Sequence, residues 1–192
     1  MLRPVRIASI PLLLLAPLLA VAQRPVRPTA PNGTALTSRA ALLAQARPRS
    51  QATLVLTPTA LLFNASNPAL QPTVPATTPV QAYVTITNGR RRATWTLQIS
   101  AQGPDLVAGG ATIPVSAVAW SASGSVLSGD GTISAQGGST PLATTAVIAA
   151  QGVEGQASPF EALVTCNFSF QDSWNYVPGA YTQTLLFTLA AP

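Results

Sequence analysis

From Phe160 to Gln171 the chain alternates with a period of two. Phe160, Ala162, Val164, Cys166, Phe168 and Phe170 fall on one parity, and Glu161, Leu163, Thr165, Asn167, Ser169 and Gln171 on the other. Successive side chains of an extended backbone point to opposite sides, whereas a helix repeats every 3.6 residues. The pattern therefore commits this stretch to a strand with one buried face. The last stretch repeats it: Tyr181, Leu185, Phe187 and Leu189 share one parity, Thr182, Thr184 and Thr188 the other, and Pro178-Gly179 supplies a turn before them. Joined through Asp172 to Gly179, the two segments predict the centre of an antiparallel sheet on which a two-sided core forms.

Upstream segments carry the same signal. Val80, Ala82, Val84 and Ile86 alternate with polar residues, as do Ala93, Trp95, Leu97, Ile99 and Ala101, and Asn88-Gly89 offers the positive-φ residues of a hairpin turn between them. Thr53 to Thr57 is a short β run that Pro58 interrupts and Ala60 to Phe63 resumes, so the first strand is expected to bend or change sheet there. Four prolines mark Asn64 to Pro79 as loop. Ile113 to Trp120 switches parity, which requires a bulge or a strand covered on both faces. Ser125 to Ser134 reads as a minor hairpin around Gly129-Asp130-Gly131, Thr144 to Ala149 as one more strand, and Gln151 to Pro159 as loop. Seven to nine strands over about 140 residues, with turn signals between them and no sustained helical period after Ser50, predict an all-β, immunoglobulin-like antiparallel β-sandwich over residues 51–192.

The N-terminus is a different material. Arg3 and Arg6 precede an apolar run, Ile7 to Ala20, that ends in the small-x-small site Ala20-Val21-Ala22. Residues 1–22 thus read as an export signal, with the mature chain starting at Gln23. The run is shorter than the ~20 residues of a membrane-spanning helix, so no transmembrane span is expected once it is removed. Pro25, Pro28, Pro31 and Pro48, with five arginines, mark residues 23–50 as a flexible, extended tail, either a basic arm that touches acidic envelope polymers or a spacer. The expected location is outside the cytoplasm: extracellular, at the cell surface or periplasmic.

Composition removes most chemistry. The 192 residues contain no His and no Lys, so imidazole acid-base catalysis, Ser-His-Asp and Cys-His nucleophiles, His-ligated metals and Schiff bases are excluded. Five carboxylates lie scattered, with no calcium-loop spacing and no two placed on one strand face. A pair could still meet in space to cleave a glycosidic bond, but no spacing favours it. No enzyme activity, cofactor or metal is expected. Charged residues are only 8% of the chain while apolar ones are 47%. Such a surface is either soluble through Ser, Thr, Gln and Asn or meant to pack against neighbours. Beyond the tail, Arg90, Arg91 and Arg92 face Asp105, Asp130, Glu154, Glu161 and Asp172, which does not support nucleic-acid binding. The single cysteine, Cys166, sits on the apolar parity of its strand and reads as a small buried hydrophobe.

Two groups could carry a binding function. Arg90, Arg91 and Arg92, at a hairpin tip, could grip phosphate, sulfate or uronate groups; a solvated tip that discourages edge pairing explains them equally well. Trp174 and Tyr176, in the polar loop before Pro178, could stack on a sugar ring or a partner; the plainer alternative is a plug over the open end of the sandwich. Asp130, flanked by glycines, reads as a turn residue and Trp95 as core.

Leu56 to Phe63, Val84-Thr85-Ile86-Thr87-Asn88-Gly89, Thr94-Trp95-Thr96-Leu97 and the closing Pro178-Gly179-Ala180-Tyr181 strand together resemble exported bacterial immunoglobulin-like β-sandwich domains. The final strand is similar to that of spore coat protein U-like and pilin-like domains, and Trp95 to Leu97 resembles the WxL cell-wall-binding class. One cysteine stands where coat protein U carries pairs, and the second Trp-x-Leu of WxL domains is missing. The resemblance implies a surface or extracellular structural role without catalysis, with other surface proteins or further copies of the chain as partners. A module that binds envelope or extracellular polysaccharide is the other expectation.

Overall fold

The computed structural model describes residues 7–11, 51–65, 67–87, 92–155 and 159–191, with backbone only for 7–11. Fourteen strands occur among them: β1 (Ile7–Pro11), β2 (Gln51–Thr57), β3 (Ala60–Phe63), β4 (Thr73–Pro75), β5 (Val80–Thr87), β6 (Thr94–Ala101), β7 (Asp105–Ala108), β8 (Ala111–Pro114), β9 (Val118–Ser128), β10 (Gly131–Ala135), β11 (Thr140–Pro141), β12 (Val147–Glu154), β13 (Phe160–Gln171) and β14 (Leu185–Ala190). The count exceeds the predicted seven to nine because short strands of two to four residues flank the long ones and Pro58 divides the first in two.

The strands form two main antiparallel sheets. The larger runs in the order β11-β9-β13-β5-β2, with β4 against the far half of β13, and the smaller in the order β10-β12-β6-β14. Two further pairs, β7-β8 and β1-β3, are attached to them. In β13 every even position from Phe160 to Phe170 is buried, as the period of two requires. Those side chains join the inward faces of β5, β6 and β14 in one core, in which Trp95 lies 6.0 Å from Phe160 and Phe63 lies 6.1 Å from Phe170. Removing each such large apolar side chain from water contributes roughly 1.5–3 kcal/mol, so the inward rows of the long strands dominate stability.

Periodicity identified buried faces correctly and neighbours less well. The two C-terminal segments do not pair: β13 is central in the larger sheet, while β14 is the edge of the smaller sheet and bonds to β6, with Phe187 opposite Ile99. They lie in different sheets over one shared core, an arrangement that buries the same residues as side-by-side pairing. The predicted hairpin of β5 and β6 is likewise absent, because β5 bonds to β13 and β2 whereas β6 bonds to β12 and β14. The chain crosses between sheets through residues 88–93, of which Asn88 to Arg91 lie outside the described residues. Gly129 does turn the chain, with φ +80°, but β9 and β10 on either side of it belong to different sheets. The parity switch in Ile113 to Trp120 comes from a 3-10 turn at Val115–Ala117 that resets the face before β9. Finally, β12 begins and ends later than expected, so Gln151 to Glu154 are strand and not loop.

Two local devices fix the ends of the sandwich. The Gln183 side-chain amide donates to the carbonyls of Gly103 (2.9 Å) and Asp105 (2.6 Å), fastening the β6-β7 turn to the approach of β14. The buried Tyr181 donates its hydroxyl to the Val177 carbonyl at 2.7 Å, which closes the loop after β13.

Candidate functional site

The long strand β13 separates two poles. Its first residue pairs with Ile86, beside the crossover that bears the arginines, and its last leads into the loop that bears Trp174. Twelve extended residues span about 40 Å, so Arg92 and Trp174 cannot serve one ligand of ordinary size. Arg90 and Arg91 lie outside the described residues; Arg92 is exposed, holds φ +61°, and donates its backbone N–H to the Glu154 carbonyl at 3.0 Å.

At the other pole the two aromatics diverge. Tyr176 folds inward with its ring 5.9 Å from that of Phe170 and is half-buried, so it acts as the plug. Trp174 points away and is 66% exposed. The Asp172 N–H donates to the Pro72 carbonyl (2.9 Å), tying together two loops that also expose Leu70 and Val177. This pole presents apolar side chains with Asp172 as the nearest charge in sequence.

The carboxylates do not assemble. No group of three or more Cys, Asp or Glu able to hold a metal ion occurs among the described residues. Asp130 belongs to the β9-β10 turn, where its carbonyl accepts the Gly155 N–H. Glu154 is the one buried charged residue described; Oε2 has no hydrogen-bond partner there, and burial pushes the carboxyl above its ordinary pKa. Cys166 is buried in the core and its thiol is pushed up to about 12 by the same desolvation, which leaves it unreactive as a nucleophile.

What sequence reasoning missed is a surface without distinctive residues. On one side of the sandwich β2 ends the larger sheet and β14 ends the smaller, and the two lie close to one another. The outer edges of both have no strand partner among the described residues. Neither carries a charge: there is no charged residue between Arg49 and Arg90, and none after Asp172. The register of β2 against β5 runs without a bulge from Gln51 opposite Thr87 to Thr57 opposite Gln81. On the outer face Val55 stands opposite Tyr83, and Tyr83 opposite Leu163, so an apolar row crosses three strands and ends at the edge on Val55, which is 54% exposed. Long uncharged gaps in the sequence were the signal that could have located this surface. An open edge offers backbone N–H and C=O groups to an incoming strand, and bulges and charged side chains are the usual obstacles. None of these obstacles occurs in β2.

Comparison with models of protein families, with curated proteins and with solved structures finds no match to this chain.

Proposed function

We propose that the protein is an exported, non-enzymatic surface or extracellular component that works by contact, as a structural subunit or an adhesion protein whose partners are other surface or extracellular proteins, further copies of itself included. The observation that carries this reading is the uncharged flank formed by the free edges of β2 and β14. Strand addition to such an edge draws affinity from main-chain hydrogen bonds and needs no constellation of reactive side chains. The immunoglobulin-like, coat- or pilin-like resemblance of the sequence points the same way. Within this reading residues 1–22 leave on export, and with them β1, which pairs with β3 through Ile7 opposite Phe63 and Ile10 opposite Leu61. Their loss would leave β3 without that partner. Fractionation of the native host followed by crosslinking tests the proposal. The expected outcome is a chain beginning at Gln23, outside the cytoplasm and crosslinked to protein neighbours; an intact N-terminus in the cytosol, or a complete lack of protein crosslinks, refutes it.

A second reading has one observation in its favour, the exposed indole of Trp174 beside Asn175, an arrangement suited to stacking on a sugar ring. It predicts retention of the protein on envelope polysaccharide columns, lost in Trp174→Ala. Tyr176 has no part in it, being occupied by Phe170.

A further inference from the structure

We infer that β2 pairs edge to edge with β2 of a second copy of this chain, antiparallel and about a two-fold axis, so that the larger sheet runs continuously through both molecules. The inference rests on the contact-based reading above and names one partner for its surface.

Three observations carry it. The outer edge of β2 is seven residues long, in unbroken register with β5, and without a strand partner among the described residues. An edge of that kind is ordinarily protected, yet Gln51 to Thr57 contain no charge, no proline and no bulge. The contact ends at Pro58, which has no N–H to offer a ladder. The third observation selects the occupant. A two-fold antiparallel pair brings a strand against itself, and a strand carrying charge would oppose like charge to like; the uncharged β2 meets no such repulsion. Full overlap, centred on Leu54, sets Val55 of each copy opposite Thr53 of the other. The row of Leu163, Tyr83 and Val55 then continues into Thr53, Thr85 and Glu161 of the second copy, and the two Val55 side chains sit diagonally across the axis.

A pair of seven-residue edges covers less than the ~1,000 Å² of a standard stable interface, so the dimer is weak and forms where the protein is concentrated, as on a surface. The mature chain, residues 23–192, is to be followed by sedimentation velocity over a wide concentration range, alone and as Val55→Lys, with Leu127→Lys on the exposed part of β9, at the opposite side of the sandwich, as the control. The expected result is a reversible monomer-dimer equilibrium that Val55→Lys weakens at least tenfold and Leu127→Lys leaves unchanged, with equal urea midpoints for all three proteins. Oxidation of a mixture of Thr53→Cys and Val55→Cys chains should give the mixed disulfide dimer, since the native Cys166 is buried and does not compete. A monomer at every concentration overturns the inference, as does a dimer indifferent to Val55→Lys or weakened by Leu127→Lys. A monomer that still crosslinks to other envelope proteins refutes this pairing alone, whereas a cytosolic protein refutes the contact-based reading whether or not it dimerises.

Discussion

Along one side of the sandwich β9 hands the chain directly to β10, crossing from the larger sheet to the smaller; along the other, β2 and β14 end their sheets without any crossing. The crossed side is built from exceptions. Gly129 turns at positive φ, and a Cβ on Gly124 would meet Ile133 Cδ1 at 2.5 Å, so β10 lies close over β9 where a side chain is missing. Asp130, Glu154 and Glu161 gather along it, and β9 shifts register against β13 between Glu161 and Ala162. Glycine, charge and a bulge are the means by which sheet edges are kept from further pairing. The β2-β14 side has none of them over a comparable length. Two edges of one domain treated so differently argue that the closed side is finished by the fold and the open side by a partner.

The largest test of this contrast removes the core beneath the closed side. Phe160 is fully buried between Trp95 and the backbone of Gly131, whose hypothetical Cβ would meet its ring at 2.5 Å. Phe160→Ala should destabilise the protein by about 3–5 kcal/mol, read from the urea midpoint, without changing dimer affinity among molecules that remain folded. Next in size is Gly152→Ala. The added methyl would stand 2.7 Å from Trp95 Nε1 and closer still to the Thr132 carbonyl, which is backbone and cannot move aside. A loss of about 1–3 kcal/mol is expected, and a neutral result would mean that β10 is not held against β12 as described.

How much of this was legible in the sequence depends on what each signal encodes. Alternation in Phe160 to Phe170 and in Trp95 to Ala101 reports burial of one face, and every one of those inward residues is buried. It does not report which strand lies alongside, so it suggests pairing β5 with β6, and β13 with β14, although each pair is divided between the two sheets. Asn88-Gly89 favours a hairpin by residue type; the two lie outside the described residues, and the strands on either side belong to different sheets. Trp174 and Tyr176 were indistinguishable by type and spacing, and only the course of the loop puts one on Phe170 and the other in solvent. The open flank escaped notice since its signal is the lack of charged residues, which no motif records.

The closed side also carries the fold's one described buried charge, and this gives a prediction in pH. Desolvation raises the Glu154 carboxyl above its ordinary value of 4.5, so the folded state holds its proton more tightly than the unfolded chain does. The corresponding stability is fully present below pH 4.5 and is lost as pH rises through the folded value. Denaturation midpoints measured from pH 4 to pH 7 should therefore fall with rising pH, and Glu154→Gln should flatten the slope. An unchanged slope would show that Glu154 ionises freely and that the β12 end is open to water.

The smallest expected effect is the most discriminating for the open side. Thr53 is exposed on β2, so Thr53→Lys should alter the unfolding free energy of the monomer by no more than about 0.5 kcal/mol. The same substitution places a cation opposite the apolar Val55 of the second copy, with its own counterpart diagonally across the axis, and should weaken association at least tenfold. Stability and association thus come apart at β2, whereas at Phe160 only stability moves. If Thr53→Lys instead lowered monomer stability as far as Phe160→Ala does, the edge would be an internal contact of the fold, and the distinction between the two sides would be lost.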